Sequence, residues 1–217
     1  MDPADIKIIH SNMSFLFEPE NLLPYDGIAI YHGAIFNEQE ANGICKDLFE
    51  IIPWKQDEVL MFGKKIMTKR KVAWYADAGI SYTYAGVKKS GLHWTEALLG
   101  IKQKVEAIKG ASYNACLLNL YHEGEEGMGW HKDNEKEIVE GSSIASLSFG
   151  AVRKFAFKHA KTNERLDIEL AHGSLLDMKG PIQQYWYHSL PKTTRIKQMR
   201  INLTFRLMHS DQNVPIR

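Results

Sequence analysis

From residue 115 to residue 207 the chain is a succession of short apolar or alternating segments, at 115–121, 144–149, 152–158, 165–170, 173–178, 183–188 and 199–207, with Gly, Asn or Pro between many of them. Strands of that length and spacing, without a helical period to connect them, predict antiparallel sheets stacked as a sandwich or jelly roll, not a parallel sheet with crossover helices. The last segment is the most regular. In Arg200-Ile-Asn-Leu-Thr-Phe-Arg206, Ile201, Leu203 and Phe205 share one face and Arg200, Asn202, Thr204 and Arg206 the other, because side chains alternate along a strand. A solvated edge strand would account for the polar row. Two guanidiniums in a strand flanked by hydrophobic residues suit instead the interior of a barrel that holds a ligand. The planar guanidinium fork matches a carboxylate, so Arg206 or Arg200 could anchor an acid.

Upstream, the pattern changes. Asn37 followed by Glu40 forms a capping box, and Ile44, Leu48, Ile51 and Ile52 continue at helical spacing until Pro53. Thr95 heads a second helix with Leu98, Ile101, Val105 and Ile108 on one stripe and Gly110 past its end. Ile6 to Ile9 and Ile28 to Tyr31 read as short strands, and residues 55–93 carry aromatics, glycines and β-type alternation in Ile80 to Tyr84. At 217 residues, 44% hydrophobic and 24% charged, one domain with a full core is expected. No apolar run is long enough to span a membrane and no secretion signal is visible, so a cytoplasmic protein, or a nuclear one if eukaryotic, is expected; a monomer is expected as well. Cys45 and Cys116 sit in apolar settings and read as small core residues.

His131 and Asp133 are two apart, a spacing that on a strand turns both to one side. Such a pair is common by chance and gains weight only in context. His188 closes the aromatic segment Gln184-Tyr-Trp-Tyr-His188 before a turn. Two imidazoles and one carboxylate make the facial set that leaves positions open on non-heme Fe(II); zinc accepts the same ligands but has no redox chemistry and would not account for the arginine row.

The ordered motifs Asn119-x-Tyr121, His131-x-Asp133, His172-Gly-Ser-Leu-Leu176, Trp186-Tyr-His-Ser-Leu-Pro191 and Arg200-x-Asn-Leu-Thr-Phe-Arg206 resemble those of the AlkB family of Fe(II)/2-oxoglutarate dioxygenases, which dealkylate nucleic-acid bases. The resemblance runs from about residue 55 to residue 207 and is nearest to the branch that works on double-stranded DNA. It implies a double-stranded β-helix with flanking helices (mainly β, α+β) and an N-terminal substrate-recognition lid. In one domain, 1–54 would form a cover with its helix, 55–93 the lid, 94–208 the core and 209–217 a loose tail. It implies that His131, Asp133 and His188 hold iron, that Arg206 pairs with the far carboxylate of 2-oxoglutarate, and that Asn119, Tyr121, Arg200 and Asn202 line the same pocket. With O2 these would demethylate 1-methyladenine and 3-methylcytosine in DNA, double-stranded or also single-stranded, releasing formaldehyde.

A net charge of +1 argues against a uniformly basic binder, but Lys64, Lys65, Lys69, Arg70 and Lys71 cluster, as do Lys192, Arg195, Lys197 and Arg200, and two such loops could straddle a phosphate backbone. Phe62, beside the first cluster at a turn, is placed to act as an apolar wedge in the base stack. Trp74, Tyr75, Tyr82 and Tyr84 are candidates to sandwich a flipped base. Glu135 falls where the family places a carboxylate facing a cationic methylated base, although Asn134 to Glu137 also reads as a solvated loop. Arg153 and Lys158 read as exposed surface charge, and His122, His159 and His172 as surface, loop or supporting histidines. An RNA or protein demethylase of the same fold, or a nucleic-acid-binding module without catalysis, are the alternatives.

Overall fold

The alternating segment at 200–206 lies at the centre of a sheet. In chain order the elements are β1 (Ile28–Ala34), α1 (Glu38–Ile51), β2 (Lys55–Met61), β3 (Lys64–Ala76), β4 (Ser81–Tyr84), β5 (Val87–Ser90), α2 (Glu96–Lys109), β6 (Ala115–Tyr121), β7 (Met128–His131), β8 (Ile144–Gly150), β9 (Arg153–His159), β10 (Arg165–Leu170), β11 (Ser174–Lys179), α3 (Ile182–Tyr185), β12 (Trp186–Leu190) and β13 (Arg200–Arg206). The structure, a computed structural model, describes residues 19–61, 64–84 and 87–211, and within 57–66 and 82–89 the backbone but not the side chains. The fragment Ile6 to Ile9, Phe62 and the side chains of Lys64, Lys65, Tyr82 and Tyr84 therefore lie outside the described residues.

Seven strands pair in the order β1-β11-β8-β13-β6-β3-β2 and four in the order β10-β9-β12-β7, while β4 and β5 form a separate hairpin. The named strand pairings are antiparallel, as the sequence predicts for a jelly roll. Ile201, Leu203 and Phe205 are fully buried in the core formed with Leu48 of α1 and Leu98, Ile101 and Val105 of α2. Burying each such side chain contributes about 1.5–3 kcal/mol, and a slip of one residue would turn all three away from the helices. The apolar face thus sets the register. Arg200, Asn202, Thr204 and Arg206 are buried as well, since β13 runs between β8 and β6. A solvated edge is excluded.

The helices begin where the caps predict. Asn37 Oδ1 accepts the Glu40 N–H at 2.9 Å and Glu40 Oε2 accepts the Asn37 N–H at 3.0 Å, and Gly110 ends α2 in the left-handed region at φ 61°. Ile108, expected on the buried stripe of α2, is 41% exposed. Cys45 and Cys116 are buried free thiols. Among the described residues no helix is long and apolar enough to cross a membrane.

Several segments depart from expectation. Residues 183–188, read as one strand, begin in the short helix α3, because Pro181 starts a helical turn whose end is capped by the Trp186 N–H on the Ile182 carbonyl. Residues 55–93 are not wholly separate from the core: Lys71 to Ala76 of β3 pair with β6, while the earlier part of β3 pairs only with β2, so the hairpin runs past the end of β6. His209 to Asp211, expected to open a loose tail, are tied back by the His209 N–H on Glu137 O at 2.8 Å and the Asp211 N–H on Gly79 O at 3.0 Å. Arg153 is not surface charge. It is 1% exposed, and its Nη2 donates to the carbonyls of Gly124, Glu126 and Pro191 at 3.1, 2.9 and 2.9 Å, joining the loop before β7 to the loop after β12. Since removing a buried donor strands its acceptors at about 1–3 kcal/mol, Arg153→Leu is expected to lower unfolding free energy by at least about 2 kcal/mol in denaturant melts.

Candidate active site

Pairing of β12 with β7 sets His188 directly opposite His131, with ring centroids 4.2 Å apart. Asp133 follows two residues beyond the strand, and one ligand atom from each of the three lies within 4.8 Å of the others. His131 Nδ1 is 2.8 Å from the Gly129 carbonyl; an oxygen there requires the proton on Nδ1 and leaves the Nε2 lone pair for a ligand. Asp133 Oδ1 accepts from Arg206 Nη2 at 2.7 Å, while its Oδ2 stands 3.8 Å from His188 Nε2. Burial alone would raise the Asp133 pKa, but Arg206 and the two imidazoles outweigh it and hold the carboxyl below its ordinary value. Burial pushes His188 down to about 3 against the pull of Asp133, so it is neutral at pH 7. A carboxylate and an unprotonated imidazole buried side by side beside a second imidazole form a donor set that fits a divalent metal, because metal ligands must shed their protons.

Beside this trio opens a cavity of about 320 Å³, walled by both sheets. The polar face of β13 contributes Arg200, Asn202, Thr204 and Arg206, and β6 contributes Asn119 and Tyr121 from directly paired positions. All five residues expected around a cosubstrate are thus brought together. Their pairing differs. Arg206 holds Asp133 and approaches Glu135 at 3.4 Å. Arg200 is 2% exposed and donates through Nη2 to Ser148 Oγ at 2.9 Å, its Nε buried without a hydrogen-bond partner among the described residues. Among the described residues no carboxylate lies within ion-pair distance of it. Burial pushes its pKa down to about 10, and Tyr121 presents its ring 5.5 Å away. The buried Asn119 Oδ1 also lacks a partner among the described residues. An under-satisfied guanidinium buried in the wall of a cavity is a seat for an anion.

Of the aromatic candidates, Trp74 lines the cavity, but Tyr75 points to the opposite face, where it is 2% exposed among core side chains and 6.4 Å from the Trp94 ring. Period 2 cannot give both neighbours the same face, so Tyr75 is corrected to a core residue. Arg70, read as part of a basic cluster, shares the Trp74 face and is a buried part of the cavity wall. His122, His159 and His172 stay outside the metal cluster: His122 meets Glu126, His159 is buried against Asp26 and Thr162, and His172 accepts the Gly150 N–H. Sequence reasoning passed over Ser146 and Ser148, which support Asn202 and Arg200; their alternation with the buried Ala145, Leu147 and Phe149 was the available signal.

The depressed His188 pKa also has a stability consequence. A histidine whose folded pKa lies below its unfolded value of about 6.5 leaves the unfolded chain binding more protons between the two. Stability is therefore full above about pH 6.5 and falls as pH drops towards 3. Urea melts of metal-free protein are expected to follow this slope, and His188→Asn to flatten it.

The 2OG-Fe(II) oxygenase superfamily profile matches residues 27–206. The chain is 37% identical over 192 residues to the DNA oxidative demethylase ALKBH2 of Mus musculus, covering 83% of this chain and 80% of that protein, and equally identical to ALKBH2 of Homo sapiens, with 83% and 74% covered. Alpha-ketoglutarate-dependent dioxygenase alkB homolog 3 of Homo sapiens is 33% identical over 85% of this chain and 67% of its own length. A solved structure of OsALKBH1 superposes with a TM-score of 0.53 over 82% of this chain and 97% of that one, at 16% identity, and so speaks to the fold alone. With this fold, and with a profile match that takes in the facing histidines, Asp133 and the polar row of β13, the chain belongs to the 2OG-Fe(II) oxygenase superfamily and, within it, to the AlkB family.

Proposed function

We propose that the protein is a DNA oxidative demethylase that uses Fe(II), 2-oxoglutarate and O2 to remove methyl groups from 1-methyladenine and 3-methylcytosine. The observation that carries the chemistry is the pairing, in one cavity, of a metal-ligand trio with a buried guanidinium that has no acid of its own among the described residues. DNA as the substrate is supported by the relatives named DNA oxidative demethylase.

His131, Asp133 and His188 would hold the iron. The resemblance gave the far carboxylate of 2-oxoglutarate to Arg206. Because Arg206 is engaged by Asp133 at 2.7 Å, we place that carboxylate on Arg200, with Asn119, Tyr121 and Asn202 around it, and keep Arg206 as the residue that aims Asp133. When bound, iron with 2-oxoglutarate and oxygen supplies the oxidation of the methyl carbon, after which the hydroxymethylated base sheds formaldehyde. The chain's own work is positioning. Trp74 offers an apolar wall for the base, and Glu135, at the cavity beside Arg206, presents a carboxylate that favours the cationic methylated base over the neutral one. The β2–β3 hairpin, running past the end of β6, would lie over the flipped nucleotide, and methylation that blocks base pairing lowers the cost of flipping.

The direct test measures formaldehyde and succinate with Fe(II), 2-oxoglutarate and O2, using a 1-methyladenine duplex, the same strand unpaired, and unmodified DNA. Methyl-dependent release of both products is expected, and His131→Ala should abolish it while sparing duplex binding. Succinate without formaldehyde would move the substrate elsewhere, and neither product would leave a binding module. A second expectation concerns Arg200. Since a buried charge without a counterion is costly, Arg200→Met should keep or raise the melting temperature of the free protein yet raise the KM for 2-oxoglutarate by roughly 100-fold, the loss of a bidentate charged contact of about 3 kcal/mol.

A further inference from the structure

We infer that Gln183, on the short helix α3, is a positioning residue for the metal ligand Asp133. The strand ladder between β7 and β12 reaches the His131–His188 pair, and Asp133 lies two residues past it, where its N–H has no strand partner. That N–H donates to Gln183 Oε1 at 2.9 Å. A donor at this point requires the amide oxygen to face it, which turns Nε2 the other way; Nε2 is buried and, among the described residues, lacks a hydrogen-bond partner. Both residues line a second cavity, of about 170 Å³, formed with the 134–142 loop.

Two further bonds run between the same segments. Lys132 Nζ donates to the Gln184 carbonyl, and Gln184 Nε2 donates to Glu140 Oε1 at 2.8 Å. The turn that leads directly into His188 therefore grips the loop that carries Asp133, so the two ligand-bearing segments are fixed to each other by side chains as well as by the ladder. Asp133 is held at both ends: its backbone by Gln183, its Oδ1 by Arg206. Oδ2 is what remains to face His188 Nε2, 3.8 Å away. Partners that orient a metal ligand tune affinity as well as geometry.

This inference rests on the metal reading, and the test separates the two. The purified full chain is stripped of metal and titrated with Co(II), reading affinity by calorimetry and ligand geometry by the visible spectrum, for wild type, Gln183→Met and Gln183→Glu. Gln183→Met keeps length and volume but loses the oxygen acceptor; it is expected to weaken Co(II) binding by about 10-fold or more and to alter the spectrum, with the metal-free melting temperature changed little, because the cost of stranding the Asp133 N–H is offset by removal of the buried Nε2. Gln183→Glu restores an oxygen acceptor and should return the wild-type spectrum. A Met variant with wild-type affinity and spectrum, or losses in both variants that track a lowered melting temperature, would overturn the role of Gln183. A wild type that binds no Co(II) would overturn the metal reading and this inference with it.

Discussion

The buried ion pair between Arg206 and Asp133 joins the two halves of the molecule. Arg206 belongs to the central strand of the seven-stranded sheet, Asp133 to the loop leaving the four-stranded one, and their 2.7 Å contact sets the metal-ligand trio against the polar row of β13. A buried pair of this kind is weak evidence for stability, because desolvating both ions offsets their attraction. Its value is geometric. It keeps Asp133 ionised and turns its second oxygen towards His188, and it leaves Arg200 as the buried cation of the row without an acid among the described residues.

The interior is electrostatically unfinished as a result. Arg200 and Arg206 outnumber Asp133 by one positive charge among these groups, and Arg200 titrates low, at about 10, because burial disfavours its charge. A divalent cation on the ligand trio and a dicarboxylate on Arg200 would enter as a pair whose charges cancel, satisfying both ends of the cavity without raising its net charge. Each makes room for the other, which is a physical reason for a metal and an acid to share this site. The surrounding scaffold tolerates the arrangement because it is firmly placed: Ile201, Leu203 and Phe205 fix the register of β13, Arg153 locks the loops on either side of the histidines, and Gln183 holds the loop between them.

Much of this was legible in the sequence. Strict alternation at 200–206 gave both the apolar face and the inward polar row, the caps at Asn37 and Thr95 gave the helices, and the identity of the ligand residues followed once the ordered motifs were read together. What escaped reading depends on geometry that no local pattern encodes. Alternation says that Trp74 and Tyr75 face opposite ways but not which one meets the cavity; that is decided by which side the helices cover. Arg153 carries no mark of burial, since its acceptors are backbone carbonyls far along the chain. Gln183 meets Asp133 across 50 residues, and the different partners of Arg200 and Arg206 emerge only from distances. The brief strand β7 lies in a glycine-rich stretch that gives little β signal, and α3 hides at the head of a segment that otherwise alternates like a strand.

The most direct test of this account is a crystal structure of the full chain with Mn(II), as a redox-stable substitute for Fe(II), and 2-oxoglutarate. The metal is expected on His131, Asp133 and His188, the 2-oxo acid end of the cosubstrate at the metal, and its far carboxylate paired with Arg200 while Arg206 remains on Asp133. A far carboxylate seated on Arg206, with the Asp133 contact broken and Arg200 left on Ser148 alone, would contradict the division of labour between the two arginines, and a metal bound away from the trio would contradict the site itself.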